Sequence, residues 1–186
     1  MVFRLLSIVL GLVLGFFSYK IYATTKNGTN SGWFYMSVAG LMLCIWACLQ
    51  AITVLFFDLP TLKIISSLVC FSVISLVVPL GIINLNKSFK IDIPKFFGEK
   101  SMYLIYFSLW AVFIVFNLVI WRFNSVLMEL AGIAHLMLSL MFFFSLYPAY
   151  KLWRTTKVWT WLLIFLFVFF TAISIIPGAY TSGCCN

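Results

Sequence analysis

Charge is what this chain has least of. Only 9% of its 186 residues are charged, with 4 Asp and Glu against 12 Lys and Arg. A soluble domain carries about 25% charged residues, so these few cannot clothe a water-facing surface. A single histidine excludes bis-His haem ligation and any metal site that needs two imidazoles. No Gly-rich phosphate loop, HExxH, GxSxG, Ser/His/Asp set or pair of intramembrane carboxylates occurs. Nucleotide chemistry, zinc hydrolysis and intramembrane hydrolysis therefore lack their parts. Five cysteines follow no disulfide framework. The sequence supplies no catalytic residue, no metal site and no cofactor, and points away from an enzyme. Long loops are missing as well: none approaches the roughly 50 residues that a soluble domain needs, so residues 1–186 read as a single membrane domain.

Hydrophobic residues make up 65% of the chain, and the mean hydropathy is +1.16. They fall into six stretches, 2–22, 33–57, 61–85, 101–123, 125–150 and 158–177. Each is about 20 residues or longer, enough to cross a hydrocarbon core of about 30 Å as a helix. The expected fold is all-α, a polytopic bundle of six transmembrane helices. The opening Met1-Val2-Phe3-Arg4 imitates a secretory signal, but the length of the run that follows favours a retained span. Pro60 suits the opening of the third helix, and Asn124-Ser125 suits a tight turn with an N-cap.

Alternating the gaps places Lys20, Lys26, Lys87, Lys90, Lys95, Lys100, Lys151, Arg154 and Lys157 on one side, and Arg4, Lys63 and Arg122 on the other. Short cytoplasmic loops collect Lys and Arg, so both chain ends are expected outside (N-out/C-out) in the cell membrane. Tyr19, Tyr22, Trp33, Tyr35, Tyr103, Tyr106, Tyr147, Tyr150, Trp153, Trp159 and Trp161 cluster toward the basic side, as an interfacial belt does. The longest gap, 86–100, holds Ile91, Ile93, Phe96 and Phe97 among its lysines and is expected to lie along the headgroup layer. The charge of +8 thus belongs beside apolar spans, where acidic lipid headgroups attract each basic residue by roughly 1 kcal/mol. No nucleic-acid partner is expected.

Function is left to the few polar groups inside the spans. His135 lies about ten residues into the fifth span, near the bilayer midplane at about 1.5 Å per residue. An ionisable group at that depth reads as a site for proton transfer or ligand contact, or as a neutral imidazole bonded to a neighbouring helix, with Ser139 one turn on. Glu129, about one turn below the outer surface, is either an ion or substrate contact or the partner of Arg122 or Asn117 across the hairpin. Six residues separate it from His135, about 600° of helix, so the two point to different faces. Asn84, Gln50 and Asn117 are candidate contacts or helix-to-helix hydrogen bonds. Ser7, Gly11 and Gly15 form a small-residue ridge on the first span, and Gly40, Cys44 and Cys48 form another on the second. Such ridges let backbones approach closely, although two soft thiolates one turn apart can also hold Cu(I).

These features favour a non-enzymatic protein, a structural or accessory subunit of a larger membrane complex, whose partners are lipids and other membrane subunits. The alternative is a small transporter, channel or membrane-embedded ligand sensor with a polar site around His135 and Glu129.

Overall fold

A computed structural model describes residues 2–25, 31–55, 60–120, 126–159, 162 and 166, with five α-helices and no strand among them. They are α1 (Val2–Thr24), α2 (Ser31–Leu55), α3 (Pro60–Ser88), α4 (Glu99–Ile120) and α5 (Val126–Thr156). Four stretches are long and apolar enough to cross a membrane, Leu5–Thr24, Ser31–Thr53, Thr61–Ser88 and Gly132–Thr156. The chain is a membrane protein. Most of the sixth expected span, 158–177, and the tail with Cys184 and Cys185 lie outside the described residues.

The expected gap from 86 to 100 is shorter than its polarity suggests. Helix α3 runs on to Ser88, and α4 begins at Glu99. A Schellman cap ends α3: the Lys90 N–H donates to Lys87 O at 2.9 Å and the Ile91 N–H to Asn86 O at 2.9 Å. Ile91 is buried, the apolar contact that accompanies this cap. A one-turn 3-10 helix, Lys95–Phe97, then lays Phe97 flat on Tyr147 of α5, with ring centroids 4.8 Å apart. Helix α5 likewise outruns its expected end at 150, stopping at Thr156 where the Lys157 N–H donates to Trp153 O at 2.8 Å.

The helices pack in a row, α1 on α2, α2 on α3 and α3 on α5, with α4 making lesser contacts to α3 and α5. Burial follows that order: 67% of the α3 span window is buried and 11% of the α1 window. Among the described residues helix α3 is therefore the centre, and α1 has its one large contact with α2. Leu80, Ile82, Ile83, Leu85 and Asn86 of α3 are almost wholly inaccessible. Phe71 meets His135 near the start of α5, and Asn86 meets Pro148 near its end. Helices α3 and α5 thus run parallel and reach the same rim together.

Polar side chains inside the bundle tie neighbouring helices. Gln50 Nε2 donates to Lys63 O at 3.0 Å and to the Ser66 and Ser67 hydroxyls at 3.2 Å, and Trp46 Nε1 donates to Ser67 Oγ at 3.1 Å, closing the α2–α3 hairpin. The Tyr106 hydroxyl donates to Ser72 O at 2.9 Å. Ser72 lies midway along α3, so Tyr106 leaves the aromatic belt assigned to it and reaches into the bundle. The reason is a hydrogen-bonding tip on an otherwise apolar body, which a carbonyl inside a membrane satisfies as well as water does.

Candidate functional site

Asn84 is buried on α3. Its Nδ2 donates to Leu80 O at 2.9 Å and also to Glu99 Oε1. The other carboxylate oxygen of Glu99 pairs with Lys87 Nζ at 3.0 Å. Tyr35 of α2 and Tyr103 of α4 come together beside this carboxylate. One acid thus gathers α3 and the first turn of α4 at the basic rim.

Partial burial pushes the Glu99 carboxyl upward, but the Lys87 ammonium and the Asn84 amide outweigh it and hold its pKa below the usual carboxylate value. A depressed folded-state pKa adds stability above the unfolded value, near 4.3, and that stability is lost as pH falls through the folded value. We expect the wild-type stability in detergent to fall below about pH 4, by under about 1 kcal/mol because the pair is partly solvated. The Glu99→Gln variant should lack that acid limb. An identical acid limb in the variant would show that Glu99 is not its source.

His135 stands elsewhere. Its ring meets the Phe71 ring edge-on, with centroids 4.6 Å apart. Phe71 and Asn84 are thirteen residues apart on α3, about 20 Å of helix, so His135 and Asn84 cannot line one site. The side chains of Glu129 and Asn117 lie outside the described residues.

Beside Phe71 an apolar cleft of about 290 Å³ opens between α1 and α5, floored by α2 and α3. Leu10 and Leu14 form one wall, Leu138 and Phe142 the other, with Trp46 and Ala39 on the floor. Ser7 of the expected ridge also lines it. With this lining the cleft can hold hydrocarbon; it offers no nucleophile and base to a polar substrate. Among the described residues no group of three or more His, Cys, Asp or Glu could hold a metal. Cys44, Cys48 and Cys70 are free thiols.

The small-residue ridges meet each other. A Cβ placed on Gly11 would lie 2.7 Å from Cys44 N and 2.8 Å from Gly40 O. One placed on Gly40 would run into the Gly15 backbone and lie 2.8 Å from Gly11 O. Cys44 therefore contributes its backbone to this crossing. A second crossing lies outside those two ridges: a Cβ on Gly32 of α2 would lie 2.8 Å from Leu85 N and 2.9 Å from Gly81 O of α3. Glu99 belongs to no motif, and Asn86 opens an Asn-Lys-Ser sequon that says nothing of its hydrogen bond to α5. What marks both as polar partners is their type, an acid and an amide set among lysines in the gap between two apolar runs.

Comparison with known proteins gives no relative. The chain matches no protein-family model, no curated protein and no solved structure. Its function must be argued from its own residues.

Proposed function

We propose that this protein is a non-enzymatic accessory subunit of a larger membrane protein complex, a six-span bundle in the cell membrane with both ends outside. The observation that carries this reading is where the polar groups go. Gln50, Asn84, Asn86 and Tyr106 each close onto a neighbouring element, and His135 and Asn84 are too far apart to share a cavity. A transporter or channel needs such groups to converge on a water-accessible path. The outward face of α1 supports the same reading, with Leu5, Leu12 and Phe16 all exposed, a surface that lipid or another subunit's helix can cover.

Native mass spectrometry of the protein drawn from its source membrane in mild detergent tests this. The expected result is a hetero-complex of fixed stoichiometry. Replacing Leu12 and Phe16 together by Ala should release the partner and leave the stability of the isolated chain within about 0.5 kcal/mol of wild type, as for surface substitutions. A clean monomer without partners would overturn the proposal. A second reading, a membrane-embedded ligand sensor with its site around His135 and Glu129, draws support from the cleft beside Phe71. It requires that His135→Ala abolish a ligand response while the complex stays intact.

A further inference from the structure

Among the described residues, two that are not glycine hold a positive φ, Lys90 at 54° and Lys157 at 56°. Lys90 lies two residues past Ser88 and Lys157 one past Thr156, each at the capping position where the left-handed conformation strongly favours glycine. The two helices are α3 and α5, which run parallel and end at the same rim. Unfavourable backbone conformations persist only where the surrounding structure holds them, and they cluster at functional sites. Here the side chain is twice a lysine.

Their ends are locked in register. Asn86 Nδ2 donates across to Pro148 O at 3.0 Å, and Ile91, Ala149 and Leu152 belong to one buried cluster. Lys90 lies four residues beyond Asn86, and Lys151, Arg154 and Lys157 lie three, six and nine beyond Pro148. At the helical rise those steps amount to about 5–14 Å. Lys90, Arg154 and Lys157 are exposed and Lys151 is half-buried. Lys157 Nζ sits 5.7 Å over the Trp153 ring, a cation on an interfacial aromatic.

The charge balance decides what such a cluster attracts. Each helix end presents about half a negative charge, and Asp92 adds one more beside Lys90. Four cations exceed that total by about two charges even with both helix ends counted. Lys87 is already engaged with Glu99 and adds nothing. Exposed Phe96 and Trp159 mark the same rim as the layer where an apolar membrane gives way to headgroups.

We propose that the paired ends of α3 and α5 form a binding site for the headgroup phosphate of an anionic phospholipid, with Lys90, Lys151, Arg154 and Lys157 as its cationic contacts. This rests on the chain lying in a membrane and is independent of whether it has partner subunits. The test is native mass spectrometry of the full chain from nanodiscs holding equal amounts of phosphatidylglycerol and phosphatidylcholine. Wild type should retain phosphatidylglycerol preferentially. Lys90→Gly and Lys157→Gly should each reduce that preference about fivefold, the equivalent of about 1 kcal/mol per basic residue at a charged surface. The double variant should reduce it about 25-fold on the same basis. Glycine suits both backbone positions, so the thermal midpoint in pure phosphatidylcholine should hold or rise. A merely structural role for the lysines predicts an unchanged lipid preference. Lys151→Gln with Arg154→Gln leaves both caps untouched and should lower the preference equally, covering a failure of the glycine variants to fold. An unchanged preference in folded double variants would overturn the site. So would loss of the wild-type lipid to inorganic phosphate at millimolar concentration, which would mark a site for free anions.

Discussion

Replacing Gly40 by Ala is expected to detach α1 from the bundle. A Cβ at that position meets backbone on the facing helix, the Gly15 N–Cα bond and Gly11 O at 2.8 Å, so no side-chain rotation can make room. The helices must separate along their whole crossing, and among the described residues α1 makes its one large contact there. In a membrane, close packing drives helix association more than hydrophobic transfer does. Overpacking a well-fitted core costs about 1–3 kcal/mol, and Gly40→Ala should fall at the upper end of that range. Gly11→Ala should follow, with Cys44 N at 2.7 Å. Gly15→Ala is the control within the same ridge: its nearest neighbour, Leu41 N, is at 3.4 Å, an ordinary contact, and the loss should stay below about 0.5 kcal/mol. Gly132 has nothing within 4 Å, so Gly132→Ala should gain about 0.5–1 kcal/mol from helix propensity alone. Unfolding in mixed detergent and SDS ranks the four. If Gly15→Ala proves as damaging as Gly40→Ala, the helices cross in a different register.

That series also marks what the sequence could and could not disclose. Its apolar runs announced helices able to cross a membrane, and the glycine ridge on α1 announced a close contact. The partner of the ridge, and the order of helices in the bundle, stayed hidden for a physical reason. A helix in water declares its buried face by alternating apolar and polar residues with a period of 3.6. Here every face is apolar, because lipid and protein interior ask for the same side chains. Leu12 and Phe16 of α1 face outward while Leu80 and Leu85 of α3 are inaccessible, and nothing in their type separates them. The amides were equally ambiguous. Asn84 was visible as a polar group within a span, but its partner Glu99 lies beyond the turn at Phe89–Lys90 and the 3-10 helix, whose geometry no motif encodes. His135, prominent because it stands alone in the sequence, lies against Phe71, about 20 Å along the bundle from Asn84.

The Asn86→Asp variant should lose about 3–5 kcal/mol, the usual result of leaving a charge buried and unpaired. Asn86 is wholly inaccessible. Both hydrogens of its amide are engaged, one to Ile82 O at 2.9 Å and one to Pro148 O at 3.0 Å, and its Oδ1 has no partner. The side chain therefore acts as a double donor between two carbonyls. A carboxylate of the same shape has nothing to donate and faces both acceptors with a negative charge. Protonation removes that charge and supplies one O–H that can donate to a carbonyl, so the stability of the variant should recover in acid, opposite in sign to the wild-type response set by Glu99. Asn86→Leu is the informative counterpart. It removes the donors and the unsatisfied oxygen together, and Pro148 O keeps its place in the α5 ladder, so the change should stay within about 1 kcal/mol. What it should remove is the link that holds the ends of α3 and α5 in register, so the lipid preference assigned to those ends should weaken while the fold survives. An Asn86→Leu protein as unstable as Asn86→Asp would instead make this amide a structural necessity.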